Sequence, residues 1–377
     1  MKIVHVSSVH VWQDTRVFYR MCRGLAKRGH HVVLVARGAP GSRVDGVDTV
    51  RLAAVGSRLL RSLFVAPIAV LKAARERADV VHLHDPELVP WGWLLRLTGQ
   101  SVVFDMHEYL PGAIRSKAWI PAPLRRSIAG AWRAAEWLFL RHTPTLFAED
   151  SYREHYPWVR HYEVVLNLPD ADELLARPVS RLGRRRAVYV GRVTEERGSL
   201  LTLEAVKLLR DRGEPVEFLC IGPASEAHRQ KLAQKITENG LDGVELAGFM
   251  AQPDAVARIA DGTVGLAVLK RTPNYERSYP TKMFEYMALG LPVVTSNFEL
   301  YRGVVEGASC GLCVDPESPH ELADAIQRLV SDPALAREFG ANGRRAVAER
   351  YNWRSELDKL ETFYARIRAG RTADDPA

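Results

Sequence analysis

Hydrophobic positions along the chain fall into short, valine-rich runs that alternate with stretches of helical period. A first series of apolar runs occupies residues 2–6, 31–36, 79–84, 101–105, 145–148 and 164–166. A second series occupies residues 187–191, 217–222, 244–248, 264–269, 292–296 and 311–314. Strands that are buried on both faces and separated by helices are typical of parallel sheets in doubly wound α/β proteins. The pattern therefore predicts two Rossmann-like domains that face a central cleft.

The segment between the two series, "NLPDADELLARPVSRLGRRR" at residues 167–186, is polar, contains proline and ends in arginines. Such a composition is typical of a linker. We therefore expect an N-terminal domain over residues 1–169, a linker over 170–186 and a C-terminal domain over 187–352. A helix over 353–369 is expected to cross back to the first domain, followed by a flexible tail over 370–377.

Composition narrows the class of protein. Apolar residues make up 47% of the 377-residue chain and charged residues 26%, which is typical of a globular protein. The longest apolar run, residues 63–71, contains Pro67 and is too short to span a bilayer, and the first residues read as a strand rather than a signal peptide. Four scattered cysteines form no disulfide framework, and the single CxxC pair, Cys310 and Cys313, lacks a second ligand pair for zinc. A cytoplasmic protein is expected.

The net charge of +7 is concentrated in one part of the chain. Residues 110–142 carry six basic residues, three tryptophans and one acid, Glu136. Basic charge interleaved with tryptophan on a helix predicts peripheral contact with an anionic membrane. The alternative is an ordinary amphipathic helix with its arginines in water. No nucleic-acid-binding motif is present, so nucleic acid is not an expected partner.

Polar residues follow the strands of the first domain. No glycine occurs before Gly24, so the glycine-rich turn of NAD- and FAD-binding domains is missing after the first strand. Asp14 and Arg16 stand there instead, at a predicted helix start. Asp14 is expected to cap the helix, and Arg16 either faces the ligand or makes a local surface ion pair.

Two further strands of this domain end in "HLHDPELVP" and "VVFDMHEYLP". These motifs place histidines and carboxylates at one end of one sheet: His84, Asp85, Glu87, Asp105, His107 and Glu108. A metal site is one interpretation, but no standard zinc spacing is present. Hydrogen bonding to a polyhydroxylated ligand requires the same residue types, and no metal is expected.

In the second domain, Gly191 and Arg192 follow a strand, and Arg197 precedes a helix. Two arginines near a helix N-terminus suit a diphosphate, because guanidinium groups pair bidentately with phosphate oxygens. In "SYPTKMFEYMALGLPVVTS", residues 278–296, Lys282 and Glu285 share one face at the start of an apolar helix. Lys282 then serves a phosphate and Glu285 the two hydroxyls of a ribose. The alternative is a simple ion pair three residues apart.

At the level of whole motifs, the chain resembles retaining family-4 glycosyltransferases of the GT-B fold. The resemblance rests on "YVGRVTEERG", "GFMAQPDAVARIADGTVGLAVLK", the 278–296 motif and "GLCVDPESPHELADAI", in order. The N-terminal "QDTRVFYRMCRGLAKRGHHVVLVA", "HLHDPELVP" and "DMHEYLP" resemble a bacterial subset that builds surface polysaccharides.

The resemblance implies a role for each matching residue. Arg192, Arg197 and Lys282 would hold the donor diphosphate, Glu285 the ribose, and His107 would face the donor sugar at the reaction centre. Other donor-binding positions implied are Gly191, Gly248, Phe249, Pro280 and Thr281. The acceptor side would draw on Asp14, Arg16, His84, Asp85, Glu87 and Glu108.

One position departs from the family. Family members carry two glutamates separated by seven residues, and here Arg277 stands at the earlier position with Glu276 beside it. Backbone amides around residues 279–281 are the alternative contacts for the sugar hydroxyls.

The resemblance predicts a metal-independent, retaining transfer of a hexose from a nucleotide-diphosphate sugar to a saccharide or lipid-linked acceptor, without a further cofactor. No DxD motif follows a predicted strand, in agreement with metal independence. The alternatives are a sugar-nucleotide epimerase of the same fold and a non-catalytic, membrane-docked scaffold.

Overall fold

The computed structural model describes residues 1–96, 98–116, 120–179 and 184–370. It divides into two compact units: one comprises Met1–Asn167 and the segment from Trp353 onward, and the other comprises Leu168–Asn352. Each contains one parallel-sheet core, which confirms the predicted class of two parallel-sheet α/β domains.

Within the described part of the first unit, eight strands form one sheet in the order β3-β4-β2-β1-β5-β6-β7-β8. Their bounds are β1 (Lys2–Val11), β2 (His31–Arg37), β3 (Arg43–Val44), β4 (Val47–Leu52), β5 (Val80–Leu83), β6 (Ser101–Met106), β7 (Thr145–Phe147) and β8 (Tyr162–Val164). All neighbouring strands are parallel except β3, which pairs with β4 in the antiparallel sense. The apolar runs did not predict β3 and β4, because β4 alternates buried and partly exposed positions instead of forming a continuous apolar run.

The helices of this unit cover both faces of its sheet. They are α1 (Arg23–Lys27), α2 (Arg58–Leu60), α3 (Ala66–Arg75), α4 (Val89–Arg96), α5 (Leu110–Ser116), α6 (Ala122–Leu140) and α7 (Tyr152–His155). Two π-helical segments, Thr15–Cys22 and Arg61–Val65, lead into α1 and α3, and a 3-10 turn, Pro86–Leu88, leads into α4. None of the helices in the described ranges is long and apolar enough to cross a bilayer.

In the second unit, the described residues form a six-stranded parallel sheet in the order β11-β10-β9-β12-β13-β14. Its strands are β9 (Arg186–Val190), β10 (Glu217–Ile221), β11 (Val244–Gly248), β12 (Val264–Ala267), β13 (Val293–Ser296) and β14 (Gly311–Val314). Its helices are α8 (Asp172–Leu175), α9 (Ser199–Asp211), α10 (Glu226–Glu238), α11 (Gln252–Ile259), α12 (Thr281–Ala288), α13 (Glu299–Val305), α14 (Pro319–Ser331) and α15 (Pro333–Glu349). Two 3-10 turns, Glu195–Arg197 and Tyr275–Arg277, precede α9 and α12.

The C-terminal helix α16 (Trp353–Arg368) packs within the first unit. Trp353 Nε1 donates to the carbonyl oxygen of Arg20 at 2.8 Å, and the Tyr364 hydroxyl lies 2.6 Å from His82 Nδ1. Both ends of the described chain therefore build the core of this unit.

The segment predicted as a linker contains α8, and the second unit begins before it, at Leu168. Residues 180–183 of the predicted linker and residues 371–377 of the predicted tail lie outside the described residues. Lys117 and Trp119, from the basic stretch, also lie outside them.

Candidate functional site

Each sheet has one point at which the strand order reverses direction. In the first unit this point lies between β1 and β5, and in the second between β9 and β12. Open parallel sheets bind ligands beyond the carboxyl ends of the strands at such a point. Functional side chains are therefore expected at these two edges.

Asp105, near the end of β6, is fully buried and makes a bidentate ion pair with Arg16. Arg16 Nε donates to Asp105 Oδ2 and Arg16 Nη2 to Asp105 Oδ1, each at 2.9 Å, and Nη2 also donates to the carbonyl oxygen of Val165. Burial alone would raise the pKa of Asp105, but the Arg16 charge and the hydrogen bonds hold that pKa well below its usual range. Arg16 is thus inside the domain and does not offer a surface contact to an acceptor, because Asp105 holds it there.

His84 is also fully buried, although the sequence suggested it as an acceptor contact. Its Nδ1 lies 3.1 Å from Asp105 Oδ2, and its Nε2 lies 2.9 Å from His5 Nδ1. Because a carboxylate only accepts, His84 Nδ1 carries the proton, and His84 Nε2 accepts from His5. His84 therefore links Asp105 to the interior.

His5, His82 and His84 form a cluster with ligand atoms within 4.8 Å of one another. Burial lowers the pKa of each of the three imidazoles, which keeps them neutral. The sequence analysis missed His5 and His82, although His82 lies on β5 two residues before His84 and His5 is the register partner of His82. The cluster lies beneath α16, since the Tyr364 hydroxyl contacts His82.

His107 follows β6 directly and is partly exposed, with 26% of its side-chain surface accessible. Its Nδ1 lies 3.9 Å from Asp105 Oδ2, which is longer than a hydrogen bond. Burial works to lower the pKa of His107, but the Asp105 carboxylate outweighs it, so the pKa is raised above its ordinary value. A ligand can therefore reach the His107 imidazole at this edge, and the Asp105 carboxylate lies behind it.

The predicted acceptor-side carboxylates occupy different environments. Asp85 is buried, and its Oδ2 accepts from the Ser7 hydroxyl and from the amides of Ser8 and Val9. Glu87 accepts from Arg61 Nε at 2.7 Å and from the Ser8 hydroxyl at 2.7 Å, so two hydrogen bonds already use its Oε1. Glu108 is exposed.

Asp14 caps the segment Thr15–Cys22, as expected: its Oδ1 accepts from the amides of Arg16 and Val17, both at 2.9 Å. The predicted Asp14 cap is therefore confirmed. The ion pair of Arg16 is not the local surface pair given as an alternative, because it is buried and joins residues 89 positions apart.

In the second unit, glycines end three neighbouring strands. Gly191 follows β9, Gly222 follows β10, and Gly248 ends β11. A Cβ on Gly222 would lie 1.8 Å from the carbonyl oxygen of Gly191, so no other residue fits there. The edge of the sheet is consequently free of side chains where the strands end, and a ligand can approach the backbone closely.

Lys282, on the first turn of α12, points toward this glycine edge. A Cβ on Gly191 would lie 3.1 Å from Lys282 Nζ, and Nζ lies 3.6 Å from the centroid of the Tyr189 ring. Lys282 is only 7% exposed, and among the described residues its Nζ finds no hydrogen-bond acceptor. Burial, reinforced by the neighbouring Arg197 charge, lowers the pKa of Lys282 well below its usual range. A buried lysine whose Nζ has no hydrogen-bond partner in the described structure would be stabilised by a bound anion.

Arg197 joins this cation site. It is half-buried, its Nε donates to the Tyr275 hydroxyl at 3.4 Å, and a Cβ on Gly191 would lie 3.8 Å from its Nη1. Arg197 and Lys282 thus flank Gly191, as the diphosphate prediction requires. Arg192 is exposed.

The remaining donor-side residues lie around α12 and the end of β11. Pro280 takes the N-cap position, Thr281 is the first helical residue, and Glu285 is half-buried one turn further on. Phe249 is 79% exposed beside Gly248. Glu276, the neighbour of the position where the family carries its first glutamate, pairs with Arg271 at 2.5 Å.

Two protein families match this chain, one in each of its two units. The family described as "Glycosyl transferases group 1" matches residues 170–346, and that described as "Glycosyl transferase 4-like domain" matches residues 15–167. An alpha-D-kanosaminyltransferase of Streptomyces kanamyceticus is 29% identical over 48% of this chain, which spans about half (45%) of that relative. A phosphatidyl-myo-inositol mannosyltransferase of Mycobacterium leprae is 26% identical over 77% of this chain and 74% of that relative.

Solved structures share the architecture at low identity. A glycosyltransferase from Rickettsia africae superposes with a TM-score of 0.74 at 14% identity, covering 97% of this chain and 98% of that one. HepE of Anabaena, solved in complex with UDP and glucose, gives a TM-score of 0.68 at 15% identity over 97% and 99%. With two family matches that together extend from residue 15 to residue 346, and with this fold, the chain belongs to the family-4 glycosyltransferases of the GT-B fold.

Proposed function

We propose that the protein transfers a hexose from a nucleotide-diphosphate sugar to a saccharide or lipid-linked acceptor, with retention of configuration and without a metal. The observation that carries the proposal is the buried Lys282 ammonium, which has no acceptor in the described structure and lies beside Gly191 and Arg197. A diphosphate supplies the missing negative charge, and the N-terminus of α12 adds its backbone amides.

Each donor group has a partner in this proposal. Lys282, Arg197 and the exposed Arg192 neutralise the diphosphate, Glu285 accepts from the ribose hydroxyls, and the glycine edge at Gly248 leaves room for the base beside Phe249. The solved complex of HepE with UDP and glucose supports a nucleotide sugar as donor. For the sugar hydroxyls, the backbone at Pro280 and Thr281 takes the place of the absent glutamate, since Glu276 is paired with Arg271.

The chemistry follows from where charge develops. As the glycosidic bond to the diphosphate breaks, negative charge grows on the leaving phosphate oxygen, and the cations at Lys282 and Arg197 stabilise it. The acceptor oxygen bonds to the anomeric carbon on the face from which the diphosphate leaves, and the departing phosphate takes the acceptor's proton, so configuration is retained and no protein nucleophile is required. We infer that His107, with a raised pKa and the Asp105 carboxylate behind it, acts at the reaction centre.

The test uses purified protein with UDP-glucose, UDP-N-acetylglucosamine and GDP-mannose. We expect one donor to bind and to release its nucleoside diphosphate, and we expect Lys282→Met and Arg197→Ala to weaken donor binding at least about tenfold, because each removes a charge-assisted contact. Lys207→Met, which removes an exposed lysine paired with Asp211 on α9, is the matched control and should bind the donor normally.

Product analysis separates the remaining alternatives. An α-linked donor should give an α-linked product by NMR, and EDTA should leave the rate unchanged. Conversion of the donor to an epimer without transfer would indicate the epimerase, and a lack of affinity for UDP, GDP and dTDP would favour the scaffold.

The first unit also supports a proposal of peripheral membrane contact. Its helices α3, α4 and α6 are neighbours, and together with the segment before α3 they expose large apolar side chains. Twelve such side chains are between 42% and 75% exposed: Leu59, Leu60, Leu63, Phe64, Ile68, Leu71, Trp93, Leu94, Leu124, Ile128, Trp137 and Leu138. We call these residues the apolar band. Arg141 stacks over Trp137 at 4.4 Å beside it, a pairing suited to the boundary of an anionic bilayer.

A further inference from the structure

His10 lies in the part of β1 where the regular pairing with β2 is interrupted. β1 pairs with β2 up to Ser7 and Ala36, and pairing resumes only at Val11 and Arg37, with a register shift between them. The amide of His10 donates to the Ser7 hydroxyl at 3.1 Å instead of to a neighbouring strand. Such irregularities re-aim side chains and are frequent beside active sites.

Two carboxylates hold the His10 ring from opposite sides. His10 Nε2 lies 3.3 Å from Asp85 Oδ1, and His10 Nδ1 lies 3.5 Å from Asp14 Oδ2. Each carboxylate uses its other oxygen for the backbone: Asp14 Oδ1 caps the following helix, and Asp85 Oδ2 accepts from the amides of Ser8 and Val9. Both carboxylates are thus fixed by the fold, and they fix the imidazole between them.

The His10 ring contacts the His107 ring. Their centroids lie 5.3 Å apart at an interplanar angle of 68°, an edge-to-face arrangement. Within the described structure, His107 Nδ1 has no hydrogen-bond partner, because Asp105 Oδ2 is 3.9 Å away. The His10 ring therefore packs against the His107 ring, while His107 Nδ1 makes no hydrogen bond to Asp105.

We propose that His10, held between Asp14 and Asp85, is a positioning residue that sets the orientation of His107 at the reaction centre. The inference rests on the proposed function for the role of His107, and its first test is independent of activity. A purely structural His10 would anchor the irregularity of β1 alone. Two observations disfavour a purely structural role: 34% of the His10 side chain is exposed, and its ring contacts the partly exposed ring of His107.

The first test observes the His107 ring directly by ¹⁵N NMR of the histidine side chains, with its signals assigned by their loss in His107→Gln. We expect His10→Ala to shift or broaden the His107 signals and His10→Phe, which keeps a ring at the contact, to restore them in part. His31→Ala is the matched control: His31 also pairs with a carboxylate, Asp48 at 2.9 Å, on the same unit. Unchanged His107 signals in His10→Ala would overturn the proposal.

The second test measures nucleoside diphosphate release, with water as acceptor, from whichever of UDP-glucose, UDP-N-acetylglucosamine and GDP-mannose the wild type turns over. We expect His10→Ala to lower kcat about tenfold or more at nearly unchanged donor KM, because a misplaced group at a reaction centre costs rate. His10→Phe should recover part of kcat, and Asp14→Asn, which keeps the helix cap, should lose part of it.

The outcomes of the second test are distinguishable. If wild-type protein releases product from no donor, the proposed function fails and the NMR experiment alone decides on His10. If wild-type protein is active and His10→Ala matches it in kcat, the positioning role is wrong. If His10→Ala does not fold, the same comparison between Asp14→Asn and wild type decides.

Discussion

Arg16 and Asp105 form a bidentate ion pair in the interior of the first unit, with Nε–Oδ2 and Nη2–Oδ1 distances of 2.9 Å. Removing Arg16 would leave the Asp105 charge buried without its principal partner. We therefore expect Arg16→Met to lower the free energy of unfolding by about 3–5 kcal/mol. Urea unfolding followed by circular dichroism measures the loss.

The matched control for this prediction is Arg23→Met. Arg23 pairs with Asp45 at 3.3 Å on the surface, where half of the Asp45 side chain is exposed. Its loss should cost no more than about 1 kcal/mol. Equal destabilisation by the two substitutions would contradict the account of the buried pair.

Donor binding is expected to weaken as the pH rises. Burial lowers the pKa of Lys282 in the free protein, and a bound diphosphate would favour the ammonium and raise that pKa again. Between the two values binding takes up a proton, so Kd should rise by up to about tenfold per pH unit. Calorimetric titration of the donor in two buffers with different ionisation enthalpies measures the proton uptake.

Lys282→Arg provides the test of cause, since arginine stays charged throughout the accessible pH range. This variant should bind the donor without proton uptake from that position. A wild-type protein whose Kd does not change with pH, or an arginine variant with the same pH slope, would show that Lys282 does not titrate on binding.

Glu136 should make the first unit less stable at alkaline pH. Burial raises its pKa to about 7, although Trp132 Nε1 and the Tyr156 hydroxyl donate to it at 2.8 and 3.0 Å. Because the folded-state pKa lies above that of the unfolded chain, the stabilisation is complete below the unfolded-state value and is lost as pH rises through about 7.

Glu136→Gln removes this titration. At pH 8 we expect it to be more stable than wild type by roughly 2–3 kcal/mol, and at pH 5 to show almost none of that gain. Thermal unfolding across this pH range checks the prediction. Glu226→Gln, at an exposed glutamate paired with Arg229, is the control, and a pH-independent effect at Glu136 would refute the assignment.

The apolar band is expected to drive binding to anionic vesicles. Replacing both Leu63 and Phe64, which are 59% and 60% exposed, by serine should reduce co-flotation with phosphatidylglycerol-containing liposomes about tenfold or more, because two apolar side chains no longer enter the bilayer. Val179→Ser, at an exposed apolar residue of the second unit, is the control. Wild-type protein that stays with the aqueous fraction would remove the membrane proposal.

Charge reversal at Arg125 and Arg126 tests whether basic side chains contribute to binding of anionic vesicles. We expect it to weaken flotation at low salt more than at high salt, since salt screens surface charges. Flotation that is insensitive to this reversal would leave the apolar side chains as the only source of affinity.

The sequence predicted those features that depend on local pattern. The family resemblance implied that Arg192, Arg197 and Lys282 serve one diphosphate. From local pattern, the valine-rich runs located twelve of the strands, and Asp14 was expected to cap a helix. Each of these two local inferences uses residues close in sequence or a general property of parallel sheets, so no knowledge of long-range contacts was required.

The features that the sequence did not predict depend on long-range pairing. Arg16 and Asp105 are 89 residues apart, and their spacing carries no sign that the two side chains meet in the interior. His10 was not selected, because its orientation results from a register shift between β1 and β2 and from Asp85, which lies on a different loop. Strand pairing had to be known before either residue could be placed.

The position of α16 has a consequence for the order of events on the ribosome. The first unit needs Trp353 and Tyr364 to cover Arg20 and His82, yet the whole of the second unit is translated before these residues emerge. During translation the core of the first unit therefore stays incomplete, with the histidine cluster not yet packed against α16, after the second unit has been synthesised. A stop codon placed before Trp353 would therefore release a chain whose first unit lacks the helix that covers its histidine cluster.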